Sequence, residues 1–443
     1  MDNECKEGIM VDYKVPGVYV EEPFELALSI PAGETAIPVF ACDDVKQSKV
    51  SDLQDGQEIQ SWLDVNQLIA KQRDPLQQAV ANATTTDSLK TAQEALNNFN
   101  DALLSDPLYL SLKTYFDNGG GRAYVMNVNS LASAVPGFDD ITLLVQAGAK
   151  LDSFKTSVST LCKPGNTYFA VFDGPSEEID RNGQVTASTA SIGSDQETQK
   201  KAKNATEPKD ATEQKNATDP TKDYDSNPYT AAYYPWLQAD WAIKSDKTRV
   251  DIPPSAAVAG AYCTVDRERG VWKAPANVAL KGGVTPKYKV SNDLNGILNV
   301  PSSGGKAINV IRTFRGMGPL IWGARTLKSD LDTWRYVPVR RLFNAVEKDV
   351  HRAMGVAVFE PNSAPTWERV RSAIDIYLHN LWRQGALQGS TPQQAYFVQV
   401  GLGQTMTADD INNGKLIVQI GLAAVRPAEF IILQVSQQQL SVS

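Results

Sequence analysis

The sequence predicts an α/β (α+β) protein, on three observations. Between residues 37 and 172, short apolar runs alternate with stretches of helical period, the pattern of strands covered by helices. From Lys306 to Gly389 a strand, a glycine-rich turn and a second short strand lead into two amphipathic helices. The composition, 42% hydrophobic and 21% charged, is that of a soluble globular chain, and 443 residues suffice for two or three domains.

The first residues, MDNECKEG, are acidic and polar and read as no secretory signal. Val15 to Val20 is extended around Pro16-Gly17, and proline confines a strand to an edge or an end. Those residues alone fit an ordinary first strand of the chain's own domain or an arm that adds to another sheet. Ile37–Ala41 reads as a buried strand. Between Leu76 and Leu104, Leu89, Ala92, Leu96, Phe99 and Leu103 keep a three/four spacing, which predicts an amphipathic helix or a helical hairpin turning near Thr84–Asp87. Leu108–Phe116 is a predicted helix, Gly119-Gly120-Gly121 a tight turn and Arg122–Val128 a strand. Ile141–Val145 and Thr167–Phe172 continue the alternation.

Residues 176–225 are of low complexity, with the hexamers KNATEP, KDATEQ and KNATDP in tandem from Lys203 to Pro220. Few apolar side chains among many charges cannot form a core, so this is a solvated loop. Order resumes at Tyr233, and Ser255–Tyr262 reads as a packed helix ahead of a charged turn, Asp266–Gly270. Ile308–Phe314 and Leu320–Ala324 are strands flanking the turn at 315–319. Of the two helices that follow, the first places Val339, Leu342, Phe343, Val346 and Val350 on one face, with Pro338 near its start. The second aligns Trp367, Val370, Ile374, Tyr377, Leu378, Leu381 and Trp382, and Gly385 suits the position that ends it. Tyr396–Gly401, Leu416–Gly421 and Phe430–Val435 are strands, the last apolar almost throughout, as a strand covered on both faces is.

The inventory for chemistry is poor. Only His351 and His379 are present, both within predicted helices and without a metal-ligand partner at the right spacing. No nucleophile elbow, zinc-protease or phosphate-loop motif occurs, so no catalytic residue, metal or cofactor is expected. Glu360 is expected to pair with Arg325 or Arg341 inside the fold. The four cysteines are scattered and read as free thiols of a reducing cytosol. A net charge of −8 argues against a nucleic-acid partner, and no apolar run is long enough for direct membrane insertion. An α/β enzyme with an unrecognised pocket remains the alternative to a structural role.

The wording INVIRTFRGMGPLIWGARTL, WRYVPVRRLFNAVE, VFEPNSAPTWERV and GALQG resembles the sheath proteins of contractile tails: phage tails, R-type tailocins and extracellular contractile injection systems. VPGVYVEE at 15–22, PPSAAVAGAYCTVDRERGVWKAPANVAL at 253–280 and RPAEFIILQVSQ at 426–437 fit the same family in the same order. The resemblance implies an N-terminal arm at 1–20, a conserved inner domain from 21–41 and 246–425, an inserted outer α/β domain at 42–245, and a C-terminal arm strand at 426–443. It implies arms that pair with neighbouring subunits, carried here by Tyr13, Val15, Val18 and Val20 and by Phe430, Ile432, Leu433 and Val435. The implied partners are further copies of the chain in stacked hexameric rings, an inner tube protein, and baseplate and terminal cap proteins. Assembly is expected in the bacterial cytoplasm, followed by a place in a phage tail or tail-like particle.

Lys306 to Arg383 carries thirteen Lys/Arg against seven Asp/Glu, a balance of +6 that leaves −14 for the rest. Such asymmetry marks a side facing an acidic partner. Arg340 and Arg341 are expected to pair internally. Arg369, Arg371 and Arg383 lie largely off the apolar face of the last long helix and are the tube-contact candidates.

Overall fold

Nine strands form one mixed sheet in the computed structural model, which describes residues 29–430 apart from 51, 187–217 and 301–304. The chain begins with β1 (Pro38–Cys42), β2 (Gln57–Ile59), α1 (Trp62–Ala81), α2 (Thr86–Leu104), α3 (Pro107–Asp117), β3 (Ala123–Asn127), α4 (Leu131–Ala134), β4 (Leu143–Val145), α5 (Leu151–Leu161) and β5 (Phe169–Asp173). It continues through β6 (Thr230–Tyr234), β7 (Leu237–Ala239), α6 (Pro254–Arg269), β8 (Val278–Ala279), β9 (Val284–Pro286), α7 (Asn292–Asn299), β10 (Ile308–Phe314) and β11 (Gly318–Ile321). The last elements are α8 (Val337–Met354), α9 (Ala364–Arg383), α10 (Pro392–Ala395), β12 (Tyr396–Val400), α11 (Ala408–Asn412) and β13 (Val418–Leu422).

The sheet order is β2-β3-β1-β4-β5-β6-β10-β11-β8, with the six strands from β3 to β10 parallel. Such strands are buried on both sides, which is why they read as continuous apolar runs. Alternate residues divide between two cores. Phe40, Val125, Val145, Phe169, Val171 and Tyr233 face α1, α3 and α6. Val39, Met126, Leu144, Ala170, Phe172, Tyr234 and Val310 face α5 and α7.

The middle of α6 is buried on every side, and its small residues let α3 approach closely. A Cβ at Gly260 would stand 2.4 Å from the Tyr115 carbonyl oxygen, so only glycine fits. Asp173, at the carboxyl end of β5, accepts from the Ser255 amide at the start of α6 (2.8 Å) and from the Gly148 amide (2.9 Å). Burial pushes its carboxyl up to about 6, with these donors acting in the opposite direction.

Helices α1 and α2 are the expected hairpin, turning at residues 82–85, with Thr85 capping the second helix. The region expected as a charged turn, Asp266–Gly270, is instead the last turn of α6, and Gly270 closes it at φ 90. Gly385, following α9, adopts φ 84 as a helix-ending glycine should.

A third core stands apart from the sheet. Leu342, Val346 and Ala353 of α8 pack with Val370, Ile374, Tyr377, Leu378 and Leu381 of α9, and Ala395 and Tyr396 join them. The division expected at 42 and 245 therefore falls inside one sheet, since β10 pairs directly with β6 and β1 lies between β3 and β4.

The ends of the low-complexity loop are held together, because the Val185 amide donates to the Thr218 carbonyl at 2.9 Å. Excising residues 203–217 should therefore shift the thermal midpoint by no more than about 2 °C, loop length entering closure entropy only logarithmically. Calorimetry checks this, and a fall of more than about 5 °C would mean that the segment packs on the fold.

Candidate assembly surface

Helix α8 turns two chemically different faces to its neighbours. Its apolar face closes the third core, whereas its polar face holds the sheet. Arg341 donates to Asp266 at 2.6 and 3.0 Å and to the Thr35 carbonyl at 3.0 Å. The pair is nearly sealed from solvent, with side-chain exposures of 2% and 6%. One turn on, Asn344 donates to the Tyr168 carbonyl at 3.2 Å, and a further turn on, Lys348 donates to the Ile141 carbonyl at 3.1 Å. Burial pushes the Lys348 ammonium down to about 8, and the nearby Arg352 charge acts in the same sense. Arg340, expected to pair internally, has no carboxylate partner among the described residues. Its guanidinium lies 4.1 Å from the Trp334 ring and 4.6 Å from that of Tyr229, and it donates to Asn344 at 2.8 Å.

Neither Arg325 nor Arg341 takes Glu360, the carboxylate expected for one of them. Arg325 forms a two-pronged contact with Glu429, using Nη2 at 2.6 Å and Nε at 2.9 Å. Tyr336 and Asn299 also donate to that carboxylate, at 3.1 and 3.0 Å. Together these donors hold Glu429 below the usual carboxylate range despite partial burial. Glu360 lies instead 3.6 Å from Arg369 on the surface. Sequence reading missed Asp266 and Glu429, which stand 75 and 104 residues from their partners. The one local signal was that Asp266 follows Tyr262 by four residues, on the continuation of a buried helix face.

The hairpin of β12 and β13 stands on α9 as a two-stranded sheet, paired from Tyr396–Leu422 to Val400–Val418. Among the described residues neither strand has a further ladder neighbour, and only residues just beyond β13 touch 386–388. Two strands alone are marginal, and their free N–H and C=O groups are a template for another chain. Phe397 is exposed on the hairpin, and Val356, Val358 and Phe359 are exposed at the turn between α8 and α9. Three exposed apolar side chains within four residues at that turn mark a contact surface.

Arg369, Arg371 and Arg383 all fall on the partly or fully exposed side of α9. Arg371 is bound to Glu368 at 2.6 Å, and at 100° per residue it stands roughly 200° around the helix from Arg369. The two margins of the face, not its centre, carry these charges. Arg383 lies in the last turn. Phe430 is exposed and follows the anchored Glu429. Ile432, Leu433 and Val435, like Tyr13, Val15, Val18 and Val20, lie outside the described residues.

Residues 329–438, which span α8, α9 and the hairpin, match the phage tail sheath C-terminal domain. Over its whole length the chain is similar to the sheath of the extracellular contractile injection system PVC in its contracted state. Identity is 45%, the TM-score 0.72, and the match covers 97% of this chain and 99% of that one. The chain belongs to the contractile sheath family. The contracted helical sheath of the anti-feeding prophage is a further member of similar fold, 34% identical with a TM-score of 0.65, covering 96% of this chain and 100% of that one. A tail sheath protein of Vibrio phage KVP40 is 26% identical over 141 residues, 31% of this chain but only 20% of the phage protein. Contractile sheath proteins are structural proteins and not enzymes, which removes the enzyme alternative.

Proposed function

We propose that the chain is the sheath subunit of a contractile injection machine, stacking as six-membered rings around an inner tube and contracting to drive that tube through a target envelope. The full-length likeness to a contracted sheath carries this reading. The open hairpin supplies a physical means: arms of neighbouring subunits, residues 1–20 and 426–443, add as strands to its free edges. Main-chain bonds are indifferent to side chains, so such links tolerate rotation between rings without breaking. The work comes from folding and packing energy held in the extended lattice, with no nucleotide consumed. Assembly takes place in the bacterial cytoplasm, with a baseplate and a terminal cap bounding the stack. Expressing the chain and viewing it in negative stain tests the reading: striated tubules or cogwheel rings are expected, and featureless particles would overturn it.

The inner tube is proposed to meet α9 through Arg369, Arg371 and Arg383. Each exposed contact is weak, on the order of 0–1 kcal/mol and screened by salt. A ring repeats it, and a sheath must let go of its tube. Arg369→Glu with Arg371→Glu should leave a folded subunit that no longer forms extended sheath around tube, yet still forms the contracted state. Normal co-assembly with tube at low and moderate salt would show that α9 is not the contact.

A further inference from the structure

A groove of about 850 Å³ runs between the end of α6, the end of β11, the end of α9 and the chain at 425–429. Its walls combine two tryptophans, Trp272 and Trp322, with three cations, Arg269, Lys273 and Arg426. None of the three cations has a carboxylate partner among the described residues, and Lys273 reaches only the neighbouring Ala274 carbonyl, at 2.9 Å. Glu429 is the only acid in the lining, and it is committed to Arg325. Partial burial lowers the Lys273 ammonium from its ordinary value, and Arg269 beside it adds to the effect. Lys273 is half-buried and Arg269 and Arg426 are exposed, and three like charges without a carboxylate, flanked by indole rings, suit an anionic, partly aromatic occupant.

We propose that the segment Glu21–Glu25 of the same chain fills this groove, its glutamates meeting Arg269, Lys273 and Arg426 while Phe24 packs against Trp272 and Trp322. The segment reads Glu-Glu-Pro-Phe-Glu, with three acids, one aromatic ring and no cation. The chain is also in the right place. Ile30 belongs to the same apolar cluster as Val271, and Trp272 packs against that cluster. Phe24 stands five residues before Ser29, a span of up to roughly 17 Å when extended. The other end of the chain is a poor fit, because residues 431–443 contain no Asp or Glu at all. Docked in this way, Glu21–Glu25 fixes the point from which residues 1–20 depart, and it does so beside residues 425–429, from which the C-terminal arm departs.

The test uses the full chain with Phe24→p-benzoylphenylalanine, irradiated as single subunits before assembly, so that its outcome stands apart from the sheath reading. Mass spectrometry is expected to join position 24 to residues 269–277, 322–324 or 425–428 within a species that migrates as one chain. Arg269→Glu with Lys273→Glu should cut that yield at least about fivefold. Adding Glu21→Lys, Glu22→Lys and Glu25→Lys to the same chain should restore it. Circular dichroism confirms that each variant is folded. Adducts elsewhere, adducts between two chains, or a yield indifferent to the charges of the groove would overturn the proposal.

Discussion

Asp266→Ala should destabilise the folded subunit by about 3–5 kcal/mol, because it strands a buried guanidinium. Arg341 is 2% exposed, and its other acceptor is a single backbone carbonyl, that of Thr35. The ring of Tyr262, 4.6 Å away, offsets only a fraction of that loss. Urea unfolding measures the change. By contrast, Glu368→Ala removes an equally short contact to Arg371 on an exposed helix face, where solvent screens the pair, and should leave the urea midpoint almost unchanged. Equal losses in the two variants would mean that the Arg341 site is wetter, or more easily repacked, than its burial indicates. Since Arg341 and Asp266 join α8 to α6, the Asp266 variant should loosen the docking of the C-terminal unit before the sheet itself gives way.

Deleting residues 1–20 should abolish tubules altogether while leaving a folded subunit. The proposed partner of that arm is the hairpin edge of a neighbour, and nothing else in β12 or β13 closes that edge within the described chain. Without the arm the remaining contacts are side-chain contacts on the exposed faces, which have no continuous ladder to align them. Microscopy of the truncated protein, alongside circular dichroism to confirm folding, decides the matter. Normal tubules would show that lateral linkage runs through another surface.

The strands of the parallel sheet were legible in the sequence because burial on both faces makes each one a short apolar run, as at Leu143–Val145 and Phe169–Asp173. The order of those strands was not. The position of β1 between β3 and β4 follows from connections across the sheet, which leave no trace in local periodicity. The same gap hid the pairing of strands across the bounds at 42 and 245: apolar runs reveal strands but not which sheet they join. Helices α8 and α9 were legible down to Pro338 and Gly385, since period and capping chemistry are local. Their charges were only half legible. That Arg341 would be used internally follows from its neighbours, but Asp266 was hidden inside what read as a charged turn. Arg369 and Arg371 were correctly set off the apolar face, while their nearby acids, Glu360 and Glu368, emerged only from side-chain geometry.

The contact between Arg325 and Glu429 has a mechanical meaning. A pull on the chain beyond Phe430 meets a two-pronged ionic clasp before it can reach β13. Arg325 is in turn tied to Asn309 of β10, whose side chain accepts from the Arg325 amide at 2.7 Å and donates to the Arg325 carbonyl at 2.8 Å. Tension on the C-terminal tail would thus enter the nine-stranded sheet, where β10 lies in register with β6. There it acts across a ladder of hydrogen bonds instead of opening the hairpin one bond at a time. The tail behaves as a tether made fast to the hull and not to the rail.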